Sequence, residues 1–233
     1  MNIGHLLFPG VTQLDLTAPL QAFSRVPGAT THALAKTLDA VATDCFSMLP
    51  TTAFGKCPRL DVLVIPGGPG VVEAISDEVT LTFVRSHAGS ARMVASVCTG
   101  AFLLGAAGLL RGKRATTHWA YQELLPEVGA IPVRARVVRD DRFVSCAGVS
   151  AGLDGAFTMI AQLCGEDIAR SIQLALEYDP APPFKDGSPE KAEPEILERV
   201  RAEYGPRLQS MTGALARATR SAAPRLEERH ARY

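Results

Sequence analysis

The 233-residue sequence has no Cys-x-x-Cys pair, and none of its five cysteines, at 45, 57, 98, 146 and 164, stands with histidine at zinc-ligand spacing. That excludes the common structural zinc patterns. The odd cysteine count also argues against a disulfide framework. Neither sign of charge is in excess, since Lys+Arg and Asp+Glu both number 24. Bulk electrostatics therefore call for neither nucleic acid nor an anionic membrane. No uncharged apolar run of about eighteen residues is available to span a bilayer. The start, Met1-Asn-Ile-Gly-His5, lacks the basic segment of a secretory signal. The expectation is a soluble, cytoplasmic chain without structural zinc. There is no internal repeat. Gly67-Gly68 is not followed by the Lys-Ser/Thr of a Walker loop, and no full G-x-G-x-x-G occurs.

What the chain does have is apolar content, 47% of residues against 21% charged, enough for a full core. Strand-like and helix-like segments alternate. Ile3–Phe8, His32–Ala42, Leu60–Ile65 and Arg92–Val97 read as strands. Arg114–Thr117 reads as a short strand, and Val133–Val138 with Phe143–Ala147 as a hairpin or strand pair. Between them, Leu16–Arg25, Val71–His87, Ala101–Leu110, Ala120–Val128, Leu153–Cys164 and Glu166–Tyr178 read as helices. Thr17 is a plausible N-cap and Pro19 suits a first turn. The alternation predicts an α/β fold with a parallel sheet wrapped on both faces. Phe8-Pro-Gly10, Pro66-Gly-Gly68 and Cys98-Thr-Gly100 all follow apolar strands, so that fold brings them to one sheet edge, where ligands bind.

Cys98 is the most informative residue. It ends a strand-like run, Thr99-Gly100 follow, and then comes an apolar helix rich in small residues: the pattern of a nucleophile elbow. Ser96 stands where such elbows carry glycine, which keeps a small residue there. A helix starting at the cysteine aims backbone N–H groups at the sulfur and favours thiolate. Cysteine is also among the most buried residue types, and most are inert. The residues alone leave both readings standing. For Cys45, Cys57, Cys146 and Cys164 the structural reading is preferred.

Other groups join it. Asp15, expected on the loop after the first strand, is either a turn aspartate or a semi-buried acid/base whose pKa burial would raise. Gly67-Gly68 is either a tight turn or half of an oxyanion-type hole, with the Thr99 amide as second donor. His118 precedes Trp119, and no carboxylate is placed to orient it. Asp154 sits near a helix start and reads as structural. Past Tyr178 the composition changes to a Pro-rich loop through Pro189. Two helices are then expected, Pro194–Tyr204 and Met211–Ala223, in a mildly arginine-rich tail packed on the same domain or on a subunit neighbour.

Asp15-Leu-Thr-Ala-Pro with Phe23-Ser24, Ile65-Pro-Gly-Gly68, Val97-Cys-Thr-Gly-Ala-Phe-Leu-Leu104, Arg114-Ala-Thr-Thr-His-Trp119 and Val149-Ser-Ala-Gly-Leu-Asp154 occur in this order. Together they resemble the ThiJ/PfpI superfamily, related to the class I glutamine amidotransferases. Within it they are most similar to the isonitrile hydratases. The resemblance covers about residues 3 to 180 and implies a flavodoxin-like domain over 1–180, with 181–233 as an appended loop and helices. Thr99 stands where protease-like members carry histidine. Asp15 stands where many relatives carry glutamate. Similar segments occur in AraC-type regulators, but residues 179–233 are too few for a helix-turn-helix domain. The resemblance implies hydration of a small-molecule isonitrile to an N-substituted formamide by a homodimer without cofactor. Cys98 would be nucleophile, Asp15 acid/base, Thr99 and Gly68 the positioning groups, and His118 a substrate-binding residue. The rival expectations are a glyoxalase- or deglycase-like enzyme and a sensor whose Cys98 oxidises to sulfinic acid.

Overall fold

The computed structural model describes residues 1–230, and side chains as far as residue 218. In chain order the elements are β1 (Asn2–Leu6), α1 (Gln13–Phe23), β2 (Thr30–Ala35), β3 (Val41–Ala42), β4 (Ser47–Met48), β5 (Thr52–Ala53), β6 (Val62–Ile65), α2 (Val71–Ala74), α3 (Glu78–Ser90), β7 (Met93–Val97) and α4 (Gly100–Ala106). Then come β8 (Arg114–Ala115), a 3-10 helix over Trp119–Val128, β9 (Ile131–Pro132), β10 (Val137–Asp140), β11 (Phe143–Cys146), α5 (Ala151–Cys164), α6 (Glu166–Ala175) and α7 (Pro194–His230).

Seven strands form one sheet in the order β10-β11-β7-β6-β1-β2-β5. Every neighbouring pair is parallel except the edge pair β10–β11. The central run β2-β1-β6-β7-β11 is the flavodoxin-like order, which reverses direction beside β1. Strands β6 and β7 are buried at every residue because both faces are covered, so they read as unbroken apolar runs. Successive residues alternate between layers. Leu63 and Ile65 pack with Val84, Phe102 and Leu125, while Val62 and Val64 pack with Phe23, Met159 and Ile172.

Several elements differ from the sequence reading: the edge strand expected over Val133–Val138 is Val137–Asp140, the Ala120–Val128 helix is a 3-10 helix, and three helices have other bounds. Helix α1 starts a turn early, with Thr12 and not Thr17 in the N-cap position. Its start is held from outside, since the Thr12 N–H donates to the Gly67 carbonyl at 2.9 Å. Asp15 therefore lies in the first turn of a helix rather than on a loop, and Pro19 lies in the helix interior. The Val71–His87 segment is two helices, broken around Ser76-Asp77. The two expected C-terminal helices are one, α7, which continues through Gly205-Pro206. Its buried Met211, Ala214 and Leu215 join the same core as α3 and α4. Side chains of the arginine-rich tail beyond residue 218 lie outside the described residues.

Candidate active site

Cys98 follows directly on β7, and its φ is +55°, the left-handed region that a side chain rarely occupies. Three hydrogen bonds clamp it there. Its N–H donates to the carbonyls of Ala147 at 2.9 Å and Cys146 at 3.1 Å. Its own carbonyl accepts from the Thr117 hydroxyl at 2.7 Å. Helix α4 begins two residues on, completing strand, elbow and helix. The thiol residue is only 7% exposed.

The elbow meets the other two loops as the topology requires. Asp15, 0% exposed, accepts the Gly67 N–H on Oδ2 at 2.9 Å. Its Oδ1 has no hydrogen-bond partner, and the carboxyl group interacts with the Cys98 thiol. The Gly68 N–H donates to the Thr99 hydroxyl at 3.0 Å, and the Thr99 amide and hydroxyl both act on Cys98. Gly67 has to be glycine. A Cβ there would stand 2.6 Å from both the Thr99 nitrogen and its Oγ1, and 2.9 Å from Asp15 Oδ2.

The electrostatics form a coupled pair. Burial raises the Asp15 carboxyl to about 7, against the Gly67 hydrogen bond that lowers it. Burial first, and then the Asp15 charge, push the Cys98 thiol well above its ordinary value; the Thr99 amide and hydroxyl pull the other way. The expectation that the helix start favours thiolate is therefore corrected: desolvation and the neighbouring carboxylate outweigh it. One negative charge suits this site, and at rest it falls on Asp15, whose carboxyl titrates well below the Cys98 thiol.

His118 is buried, and both ring nitrogens have partners. Nδ1 accepts from the Ala120 N–H at 3.3 Å, and Nε2 lies 3.4 Å from the Tyr204 hydroxyl. Burial, and then Arg207, lower its pKa to about 4. It stays neutral and is not a base for Cys98. A cavity of about 1540 Å³ opens beside the elbow. It is lined by Thr117, His118, Ala147 and Gly148 from around Cys98, and by Leu14 next to Asp15. Asp154 pairs with Arg136 and accepts from the Tyr178 hydroxyl, in keeping with its structural reading. Among the described residues no cluster of His, Cys, Asp and Glu is arranged to hold a metal. No helix of the described residues is long and apolar enough to cross a membrane.

Residues 1–162 match the model of the DJ-1/PfpI family. The chain belongs to that family. It is 49% identical to the isonitrile hydratase of Pseudomonas putida over 94% of this chain and 96% of that protein. It is 29% identical to the HTH-type transcriptional regulator GbdR of Pseudomonas aeruginosa over 76% of this chain but only 51% of the regulator. Among solved structures, a THiJ/PfpI family protein from Pseudomonas syringae matches with a TM-score of 0.89 at 40% identity, covering 92% of this chain and 90% of that one. The DJ-1/PfpI match ends inside α5. Helix α7, with Tyr204 against His118, therefore adds to the site a residue from outside the matched domain. Sequence reasoning missed Tyr204. Its one signal is a place on the half-buried face of α7 with Ile196, Leu197 and Val200.

Proposed function

We propose that this protein is an isonitrile hydratase, adding water to R–N≡C to give an N-substituted formamide. The observation that carries the reading is the Cys98–Asp15 pair at a strained elbow, in a chain 49% identical to an isonitrile hydratase over nearly its full length. The Asp15 carboxylate takes the thiol proton as sulfur bonds to the terminal carbon, and returns it to that carbon. The product is a thioimidate, R–N=CH–S–Cys98. Asp15 then takes a proton from water as its oxygen adds to the carbon, and that proton passes to nitrogen. Collapse breaks the C–S bond, and the hydroxyl proton returns through Asp15 to sulfur. A carboxyl with pKa about 7 suits both directions of transfer at neutral pH. The Thr99 amide and hydroxyl hold the sulfur, and the Gly68 amide holds that hydroxyl. The balance needs no oxidant, reductant or metal. The reading carries a cytoplasmic homodimer, checked by mass in solution.

Purified protein mixed with cyclohexyl isocyanide should yield N-cyclohexylformamide, and Cys98→Ala should yield none. Asp15→Asn is expected to lower kcat by about 10²–10⁴ while leaving the fold intact. Lactate from methylglyoxal, without any formamide from the isocyanide, would reassign the site to carbonyl chemistry. Near-normal turnover by Asp15→Asn would remove Asp15 from the mechanism.

A further inference from the structure

Tyr204 sits on α7, yet its ring lies in the wall of the cavity beside Cys98. It stacks on His118 with centroids 4.9 Å apart and planes 16° from parallel. It stands 5.9 Å from the Trp119 ring and 6.0 Å from that of Tyr121. Four rings from two distant segments thus form one cluster at the mouth of the site. The negative charges of Cys98 and Asp15 both raise the Tyr204 hydroxyl, although burial raises it more, so the ring's polar end lies within their field.

Three features separate this cluster from ordinary core. Trp119, Tyr204 and Leu208 are only half-buried, and all three line the cavity. Leu14, directly beside the catalytic carboxylate, is 42% exposed and lines the same space. Apolar side chains left facing a cavity next to reactive groups are the mark of a ligand subsite. His118 contributes no charge, since its Nδ1 accepts from Ala120 and its hydrogen sits on Nε2, toward Tyr204. The arginines of the cavity are matched by acids: Arg134 pairs with Glu123, Arg136 with Asp154, and Arg201 with Glu198. Lys185, Lys191 and Glu190 line it as well, and the Arg207 guanidinium lies 5.4 Å from the Tyr204 ring centre. The apolar side chains around Tyr204 favour a ring-sized hydrocarbon over a small alkyl group.

Resting on the hydratase reading, we infer that Tyr204 is a specificity-determining residue: with Trp119, Leu14 and Leu208 it walls the pocket for the isonitrile's substituent, and selects bulky apolar substituents. The geometry of the reaction agrees. Sulfur bonds to the terminal carbon of a linear R–N≡C group, so the substituent projects outward from Cys98, toward the cavity.

The test compares kcat/KM for cyclohexyl isocyanide, methyl isocyanide and isocyanoacetate in wild type, Tyr204→Ala and Leu208→Ala. In Tyr204→Ala the cyclohexyl-to-methyl ratio should fall about tenfold, through KM more than kcat, and Tyr204→Phe should restore most of it. Leu208→Ala should move the ratio in the same direction, which covers the case of a poorly folded Tyr204→Ala. Equal losses on both neutral substrates, or a preference for isocyanoacetate, would overturn the inference. Trp119 is the chain's one tryptophan, so binding has its own readout. Saturable N-cyclohexylformamide should change its emission at concentrations where N-methylformamide does not, and Tyr204→Ala should weaken that response. This response in a protein that makes no formamide sinks the hydratase reading and keeps the pocket. Turnover without any such response sinks the pocket and keeps the hydratase.

Discussion

Cys98 combines two properties that seldom coincide, a left-handed φ and a side chain sealed in the core. Neither is free of cost, and both are held by neighbours: the Cys146 and Ala147 carbonyls, the Thr117 hydroxyl, and the Thr99 amide. Strain kept at a reactive group by surrounding hydrogen bonds is what a preorganised nucleophile requires. Gly67 shows how little room the arrangement leaves. Gly67→Ala would push a methyl into the Thr99 amide and the Asp15 carboxylate together. Its formamide production should fall at least about 100-fold, because displacement of reacting groups by about an ångström costs that much. Its thermal melt should show a folded protein; wild-type turnover would mean that the three loops are not locked as described. Cys98, Asp15, Thr99 and Gly68 were all visible in the sequence because each follows a recognisable apolar strand or sits in a compact motif. Tyr204 was not, since an aromatic on an amphipathic helix face looks the same whether it meets core or substrate.

Among the elements, boundaries moved where a contact from another part of the chain overrode a local signal. Thr17-Ala-Pro19 looks like a cap with a first-turn proline, yet Gly67 holds Thr12 and starts α1 earlier. That single turn moves Asp15 from a loop onto a rigid helix and fixes its carboxylate against the elbow. Helix α7 shows the opposite override. Gly205-Pro206 reads as a break, but Tyr204 on one side, and Met211, Ala214 and Leu215 on the other, all pack on the same layer. Packing carries the helix across the proline, at a cost of up to about 3 kcal/mol against a regular residue. Pro206→Ala should therefore raise stability by about 1–3 kcal/mol in urea melts. An unchanged or lower midpoint would show that the proline sits without penalty.

For the molecule as a whole, two buried titratable groups have opposite effects on stability. His5 is fully buried in β1, and burial lowers its pKa from 6.5 to about 3 against a backbone contact with His32 that raises it. Asp15 is raised from 3.8 to about 7. Between about pH 4 and 6.5 the folded protein holds the Asp15 proton and not that of His5, while the unfolded chain holds the His5 proton and not that of Asp15. The proton counts match, so these two groups leave stability flat across that window. Removing one exposes the other. Relative to wild type, the stability of Asp15→Asn should gain about 1.4 kcal/mol per pH unit there and that of His5→Leu should lose about the same amount, since the neutral, buried His118 adds one rising slope to all three proteins. Urea midpoints at pH 4.5 and 6 measure both slopes. Equal slopes in the two variants and wild type would show that neither group is held as the fold implies.

Local apolar runs and short-range residue order were enough for the α/β alternation, the strand-end positions of Cys98 and Gly67-Gly68, and membership of the superfamily. Packing set which turn of α1 carries Asp15, what charge the Cys98–Asp15 pair can hold, and that α7 reaches back to stack Tyr204 on His118. Those outcomes depend on desolvation and on contacts between segments far apart in the chain. Such quantities come into being only when the segments are packed together.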